Sequence, residues 1–198
     1  MSFTGWKAHV EELNRVLSGL YTTGQAGRAL DADDAFLRWQ AMTVRLRNNR
    51  GTIFLVGNGA SASMASHMAA DLAKNGQLHT EVFSDLSLVT AISNDMGYDH
   101  VFSEPLSRRC RKGDMLVAIS SSGRSPNVLK AADLARRRGL NVITLSAMKP
   151  GNPLRGKGML NFYVPASTYG YAESCHAAIL HHWMDMVEVG KRKAERGK

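Results

Sequence analysis

Residues 115–126 read MLVAISSSGRSP, an apolar run that leads into a serine-rich turn and then a proline. Five successive apolar residues are typical of a strand that is buried on both faces of a sheet. Proline suits the first turn of a helix, because the amide hydrogen that it lacks would have no intrahelical partner there. The stretch therefore predicts a strand over 115–119, a loop over 120–125 and a helix from 126 to about 138.

The same alternation of strands and helices extends along the chain in both directions. Further strands are predicted at 52–56, 87–92, 141–145 and 162–164, and further helices at 62–74 and from about 171 to the end. Strands that alternate with helices indicate a mainly parallel sheet, here five-stranded, in a doubly wound α/β fold with helices on both sides. Ligands of such sheets bind beyond the carboxyl ends of the strands, where the turn at 57–61 and the loop at 120–125 are both expected.

The first fifty residues differ from the rest and predict two helices. One covers residues 6–22, and the second begins at the carboxylates of 31–34 and continues through Leu46. Neither helix carries candidate chemistry, and both need a further surface to pack against, which oligomerisation would provide. We expect one domain over residues 1–198, with a helical extension at 1–50 and an α/β core at 51–198.

The bulk composition is that of a soluble globular protein. Apolar residues make up 44% of the 198-residue chain and charged residues 21%. No stretch approaches the roughly 20 apolar residues that a membrane-spanning helix needs. Residues 1–10 lack the pattern of a signal peptide, and two cysteines do not form a disulfide framework, so we expect a cytoplasmic protein that binds no membrane.

The net charge is +8, and part of the excess is local. Three clusters carry it: Arg108, Arg109, Arg111 and Lys112 form the first, Arg136, Arg137 and Arg138 form the second, and residues 191–198 hold the third. Such a surplus is compatible with a nucleic-acid partner, an anionic substrate or a solvated surface. No zinc-finger spacing or aromatic RNA-binding motif accompanies the clusters, so the solvated surface is favoured and no nucleic acid is expected.

The loop at 120–125 is the best candidate for a binding site. Four serine hydroxyls surround Gly123 just before a helix, namely those of Ser120, Ser121, Ser122 and Ser125. The start of a helix offers free amide hydrogens and a partial positive charge, which together favour an anion such as phosphate. The alternative is a polar turn with one helix-capping serine. The loop is not a Walker A motif, and Gly57-Asn58-Gly59 lacks the third glycine of a dinucleotide fingerprint.

Two pairs of metal-ligating or acid–base side chains lie on predicted helices. His67 and Asp71 are four residues apart, and Glu173 and His181 are eight apart, so the members of each pair share a helix face. Two imidazoles and two carboxylates suit a zinc-like divalent metal, or they can act as acid and base. Taken alone, His67 is more typical of a surface histidine, and spacing does not show that the two helices meet.

Three segments carry a resemblance to a known family. They are VGNGAS at 56–61, ISNDMG at 92–97 and AISSSGRSPNV at 118–128, and they resemble the sugar isomerase (SIS) domain and, within it, the phosphoheptose isomerases. The resemblance extends over nearly the whole chain. It implies an aldose–ketose isomerase that converts sedoheptulose 7-phosphate to D-glycero-D-manno-heptose 7-phosphate for heptose and lipopolysaccharide synthesis. It also implies zinc and a homotetramer with sites between subunits.

The resemblance also assigns roles to individual residues. Asp71 falls on the catalytic base and His181 on the partner acid, and the implied metal ligands are His67, Asp71, Glu173 and His181. The implied substrate-binding residues include the serines that hold the phosphate and those that line the sugar site: Asn58, Gly59, Ser61, Asn94, Asp95, Ser120, Ser121, Ser122, Ser125 and Glu173.

Two residues depart from the family pattern. Asp71 stands where the family has the longer glutamate, and Glu173 stands where it has a neutral glutamine. One hypothesis is that the longer Glu173 compensates for the shorter Asp71. Two other functions remain open from the sequence: a non-catalytic SIS-domain protein that binds a sugar phosphate or a replication initiator, and an isomerase of another phosphorylated sugar.

Overall fold

A computed structural model of the chain describes residues 5–196. The strands are β1 (Tyr21–Gly24), β2 (Ala29–Leu30), β3 (Thr52–Val56), β4 (His79–Val82), β5 (Met115–Ser120), β6 (Asn141–Ala147) and β7 (Leu160–Val164). The α-helices are α1 (Trp6–Ser18), α2 (Ala32–Asn48), α3 (Ala60–Lys74), α4 (Leu86–Met96), α5 (Ser103–Arg109), α6 (Pro126–Arg137) and α7 (Tyr169–Arg196).

The strands form one sheet in the order β2-β1-β7-β6-β5-β3-β4. From β4 to β7 the neighbouring strands are parallel, whereas β1 is antiparallel to β7 and β2 is antiparallel to β1. This confirms the doubly wound, mainly parallel α/β fold. The parallel part has the predicted five strands, and a short hairpin extends the sheet to seven.

Each face of the sheet has its own apolar core, because successive strand residues point to opposite faces. Ile53 and Leu55 of β3 face the side covered by α1, α2, α3 and α7. Phe54 and Val56 face the side covered by α4, α5 and α6. The two buried layers explain why β3 and β5 read as nearly continuous apolar runs, whereas β6 also buries the polar residues Thr144 and Ser146.

The strand predicted at 87–92 is wrong, because these residues lie in helix α4. The Asp85 carboxylate accepts a hydrogen bond from the Leu88 amide at 2.9 Å and starts the helix there. The missing edge strand is β4, which reads HTEV and pairs on one side only, with β3. Its polar, half-exposed residues carry no apolar run by which a strand could be identified.

The first helix is shorter than predicted. It ends at Ser18 instead of residue 22, and Tyr21–Gly24 turns back to pair with β7. The predicted start of α2 is confirmed, since the Asp31 carboxylate accepts a hydrogen bond from the Asp33 amide at 2.9 Å.

The N-terminal helices find part of their packing within the chain. Trp39 of α2 stacks on Trp183 of α7, with a ring-centroid distance of 4.1 Å. In contrast, α1 leaves Trp6 and Val10 exposed. Within residues 5–196, no helix has both the length and the apolar character required to span a bilayer.

Candidate active site

A cleft lies at the carboxyl ends of β3 and β5, where a doubly wound sheet binds its ligands. It has a volume of about 270 Å³ and is formed by the turn after β3, the serine loop after β5 and the first turns of α7. The lining residues are Asn58, Gly59, Ala60, Ser61, Ile119, Ser120, Ser121, Ser122, Ser125, Tyr169 and Glu173. Eight of the ten predicted substrate-binding residues thus line one cavity.

The serine loop presents its hydroxyl groups to this cleft. Ser120 and Ser121 are almost fully buried, and the Ser120 Oγ lies 3.2 Å from the Ser125 Oγ across the loop. Ser125 is the N-cap residue of α6, yet its side chain makes no capping hydrogen bond. The alternative reading of a capping serine is therefore not supported, and the hydroxyl remains directed to its neighbour at the cleft.

Gly123 gives the loop its shape. Its φ is +62°, a left-handed conformation that is strained for any residue other than glycine. A Cβ atom here would lie 2.0 Å from the Asn152 Oδ1. Asn152 is itself buried and donates to the carbonyl oxygens of Ala147 at 3.2 Å and Lys149 at 3.0 Å. The segment after β6 therefore packs against the serine loop and supports its conformation.

A side-chain network fixes the turn after β3. Asn58 Nδ2 donates to Asn127 Oδ1, and Asn127 Nδ2 donates to Asn58 Oδ1, both at 2.9 Å. The Tyr98 hydroxyl donates to the same Asn58 Oδ1 at 3.1 Å. Sequence reasoning missed Asn127 and Tyr98, because their role depends on contacts between distant segments. It also missed Tyr169, which lines the cleft at the start of α7.

Two predicted substrate-binding residues do not line the cleft. Asn94 and Asp95 lie exposed at the end of α4, where Asn94 Nδ2 donates to Asp95 Oδ1 at 2.9 Å. Helix α4, which replaces the predicted strand, carries them there. Within one chain the structure therefore does not bring them to the serine loop.

The structure brings α3 and α7 together at the predicted acid–base or metal group. His67, Asp71 and His181 can each offer a ligand atom within 4.8 Å of the others. His67 Nε2 lies 3.3 Å from Asp71 Oδ2, and the ring centroids of His67 and His181 are 5.5 Å apart. Two imidazoles and one carboxylate are a donor set suited to a catalytic zinc ion, which keeps a fourth position open.

Glu173, the fourth predicted metal ligand, is not part of this group in the described chain and lines the cleft instead. Within one chain it therefore does not take the position left by the shorter Asp71 side chain. Asp71 is ten residues beyond Ser61 on α3, and His181 is eight beyond Glu173 on α7. At the helical rise per residue, the group lies roughly 12–15 Å along both helices from the cleft.

A buried histidine lies on α7 between the cleft and this group. His176 is fully buried, and neither ring nitrogen has a well-aligned hydrogen-bonding partner. Burial lowers the pKa of His176 to about 4, although the nearby Ser146 backbone opposes the shift in part. The ring is therefore neutral at physiological pH, and it is a part of the core.

Sequence and structure comparisons agree on one family. The SIS domain profile matches residues 31–147. A phosphoheptose isomerase of Citrifermentans bemidjiense is 34% identical over 142 residues, which cover 69% of this chain and 73% of that protein. One from Helicobacter hepaticus is 37% identical over 146 residues, or 71% of this chain and 74% of that protein.

Solved structures give the same result. Phosphoheptose isomerase GmhA from Neisseria gonorrhoeae aligns with a TM-score of 0.78 and 29% identity, covering 92% of this chain and 96% of that one. A phosphoheptose isomerase from Francisella tularensis has a TM-score of 0.80 at 21% identity over 95% and 98% of the two chains, which supports the fold alone.

Proposed function

The chain belongs to the SIS domain family and, within it, to the phosphoheptose isomerases, and from this premise we propose that it converts sedoheptulose 7-phosphate to D-glycero-D-manno-heptose 7-phosphate. The observation that carries the proposal is the meeting of α3 and α7. These helices bring His67, Asp71 and His181 together, and their first turns also line the serine-loop cleft.

The serine loop binds the substrate phosphate in this proposal. Ser120, Ser122 and Ser125 provide hydroxyl donors, and the start of α6 adds its partial positive charge. No lysine or arginine of the described chain lines the cleft, so hydroxyl and amide donors carry the binding. The Glu173 carboxylate repels a phosphate that comes too close and thereby favours a pose with the sugar hydroxyls towards α7.

Asp71 is the proposed base and His181 the proposed acid. Asp71 removes a proton from C1, while the carbonyl oxygen on C2 takes a proton from His181 and an enediol forms. Asp71 then returns its proton to C2, the hydroxyl on C1 gives its proton to His181, and the aldose results with both side chains restored. The 3.3 Å contact between His67 Nε2 and Asp71 Oδ2 orients the carboxylate for this transfer.

His67, Asp71 and His181 would also hold a divalent metal ion, and their donor set favours zinc. A bound zinc ion supplies charge that polarises sugar oxygens. Glu173 would join the ligands only if a neighbouring subunit brought it there.

We further propose a cytoplasmic homotetramer with each complete site between subunits. Trp6 is 78% exposed and Val10 44% exposed on α1, so this helix leaves an apolar surface open to solvent within residues 5–196. The separation between the cleft and the Asp71 group along α3 also suits a site that a neighbour completes. Light scattering that gave a monomer at working concentrations would contradict this part of the proposal.

The non-catalytic alternative is not favoured, because the relatives at 34% and 37% identity are isomerases. The decisive experiment incubates the protein with sedoheptulose 7-phosphate, with and without a chelator, and measures the heptose 7-phosphate formed. Asp71→Asn should lose at least about a hundredfold in kcat, which is within the usual contribution of a general base. Glu173→Gln tests whether the carboxylate is needed, and exposed Asp34→Asn on α2, outside both α3 and α7, is the matched control.

Absence of turnover by the unmodified protein on this substrate would refute the proposed reaction. Turnover of a different phosphorylated sugar alone would retain the isomerase but change the substrate.

A further inference from the structure

A second cavity lies at the amino ends of the parallel strands, at the opposite end of the sheet from the active-site cleft. It has a volume of about 490 Å³ and surrounds the amino ends of β3, β5 and β6, with the end of α2 on one side. Its cationic or imidazole side chains are Arg45, Arg50, His79, Arg109, Arg111 and Lys112. The catalytic proposal uses none of them.

Most of this positive charge has no carboxylate partner. Among the described residues, Arg109 pairs with Glu81, but no ion pair involves Arg45, Arg50, Arg111 or Lys112. These four side chains converge on one concave surface from two segments of the chain, α2 with its following turn and the loop before β5. A bound anion would relieve their mutual repulsion.

The single carboxylate that lines the cavity is already engaged. Asp114 is 5% exposed, and its two oxygens accept hydrogen bonds from the Thr52 amide at 2.9 Å and the Arg111 amide at 2.7 Å. The carboxylate thus ties the Arg111 turn to the start of β3 and fixes the backbone that carries the cationic side chains. It does not form an ion pair with any of them.

Arg50 occupies an unusual backbone position at the rim. Its φ is +53°, the left-handed conformation after a helix where glycine is the usual residue. A side chain here costs on the order of 1 kcal/mol relative to glycine. The conformation directs an arginine, instead of a bare backbone, to the opening of the cavity.

We propose that this cavity binds a small anion that carries two linked phosphate groups, such as a nucleoside diphosphate. The cavity has more unpaired cationic groups than one phosphate group requires, and one guanidinium group can bind two phosphate oxygens at once. The volume is that of a site for a ligand much larger than inorganic phosphate. Met42 is partly buried and forms an apolar part of the wall, which offers a surface for a ring system.

The site is separate from the serine loop, since the two lie at opposite ends of the parallel strands. Calorimetric titration with ADP, pyrophosphate and inorganic phosphate tests the proposal on a Ser120→Ala/Ser125→Ala background, which weakens anion binding at the cleft. We expect ADP and pyrophosphate to bind, inorganic phosphate to bind at least tenfold more weakly, and added salt to weaken all three.

The decisive variant is Arg45→Gln/Arg111→Gln. Loss of two charge-assisted contacts should weaken ADP and pyrophosphate binding by about a hundredfold. Arg28→Gln/Arg38→Gln removes the same charge from exposed positions outside the cavity and should change binding less than twofold. Circular dichroism establishes that both double variants are folded.

Four results would overturn the proposal. The first two are no binding of ADP or pyrophosphate, and equal weakening of binding by the two double arginine variants. The others are binding that the Ser120→Ala/Ser125→Ala change alone abolishes, and an oligonucleotide that binds more tightly than ADP. Because isomerase activity is measured separately, loss of the proposed catalytic function would leave this test intact.

Discussion

Asn58 and Asn127 bind each other through two side-chain hydrogen bonds of 2.9 Å, one in each direction. Asn58 lies in the turn after β3, and Asn127 lies in the first turn of α6. Asn127 Oδ1 also accepts a hydrogen bond from the Val128 amide at 2.9 Å, which gives a partner to one of the free amide hydrogens at the start of that helix. The pair therefore locks the proposed sugar-binding turn to the proposed phosphate-binding helix.

We expect Asn127→Ala to raise the KM for sedoheptulose 7-phosphate by about tenfold, with a smaller change in kcat, because Asn58 loses its orientation without loss of the acid and base. Asn127→Asp keeps the acceptor but loses the donor and adds a buried negative charge at the start of the phosphate-binding helix, so its KM should rise at least as much. Tyr98→Phe removes only the third contact to Asn58 and should have the smallest effect. Steady-state kinetics provides the measurement, and an equal loss in kcat across the series would contradict a positioning role.

Gly123→Ala should reduce phosphate binding and lower stability by about 1–3 kcal/mol. The added methyl group collides with the buried Asn152 amide, and the left-handed backbone is strained. Gly151→Ala is the matched control, because a Cβ atom at Gly151 has no neighbour within 4 Å. Thermal unfolding with and without substrate checks both effects. If the two variants behaved alike, the close approach of Gly123 and Asn152 would not be important for the loop.

Zinc should bind at about one ion per chain, as three protein ligands with an open position allow. His67→Ala removes one of the ligands and should lower the affinity for zinc by at least tenfold. His79→Ala removes an exposed histidine at the opposite edge of the sheet and should leave the affinity unchanged. Mass spectrometry of the metal content after dialysis gives the answer, and equal zinc retention in both variants would exclude this ligand set.

Stability should fall as the pH decreases from about 6.5 to about 4. The buried His176 has a pKa lowered from 6.5 to about 4. The unfolded chain therefore takes up a proton in this window and the folded chain does not, so acid favours unfolding, by up to about 3 kcal/mol. His176→Leu should flatten the pH dependence of the free energy of unfolding between these values. An unchanged slope in denaturant titrations, with His79→Ala as control, would show that other groups cause the acid sensitivity.

Local sequence patterns were sufficient for the parallel core. The apolar residues that dominate β3, β5 and β6 identified these strands, because burial on both faces favours apolar side chains at nearly every position. Edge elements were harder to identify. β4 has half-exposed, mixed residues, and the apolar residues of α4 over 87–92 were mistaken for a strand because a short apolar run fits either structure.

The doubly wound fold and the serine loop could be predicted from the sequence alone, because both depend on residues close together along the chain. Three relationships follow from the three-dimensional packing: His67 and Asp71 meet His181, Glu173 lies apart from them in the cleft, and Asn58 pairs with Asn127. Contacts between residues 69 or more than 100 positions apart depend on how helices pack across the sheet, and the spacing of residues along one helix does not encode that packing.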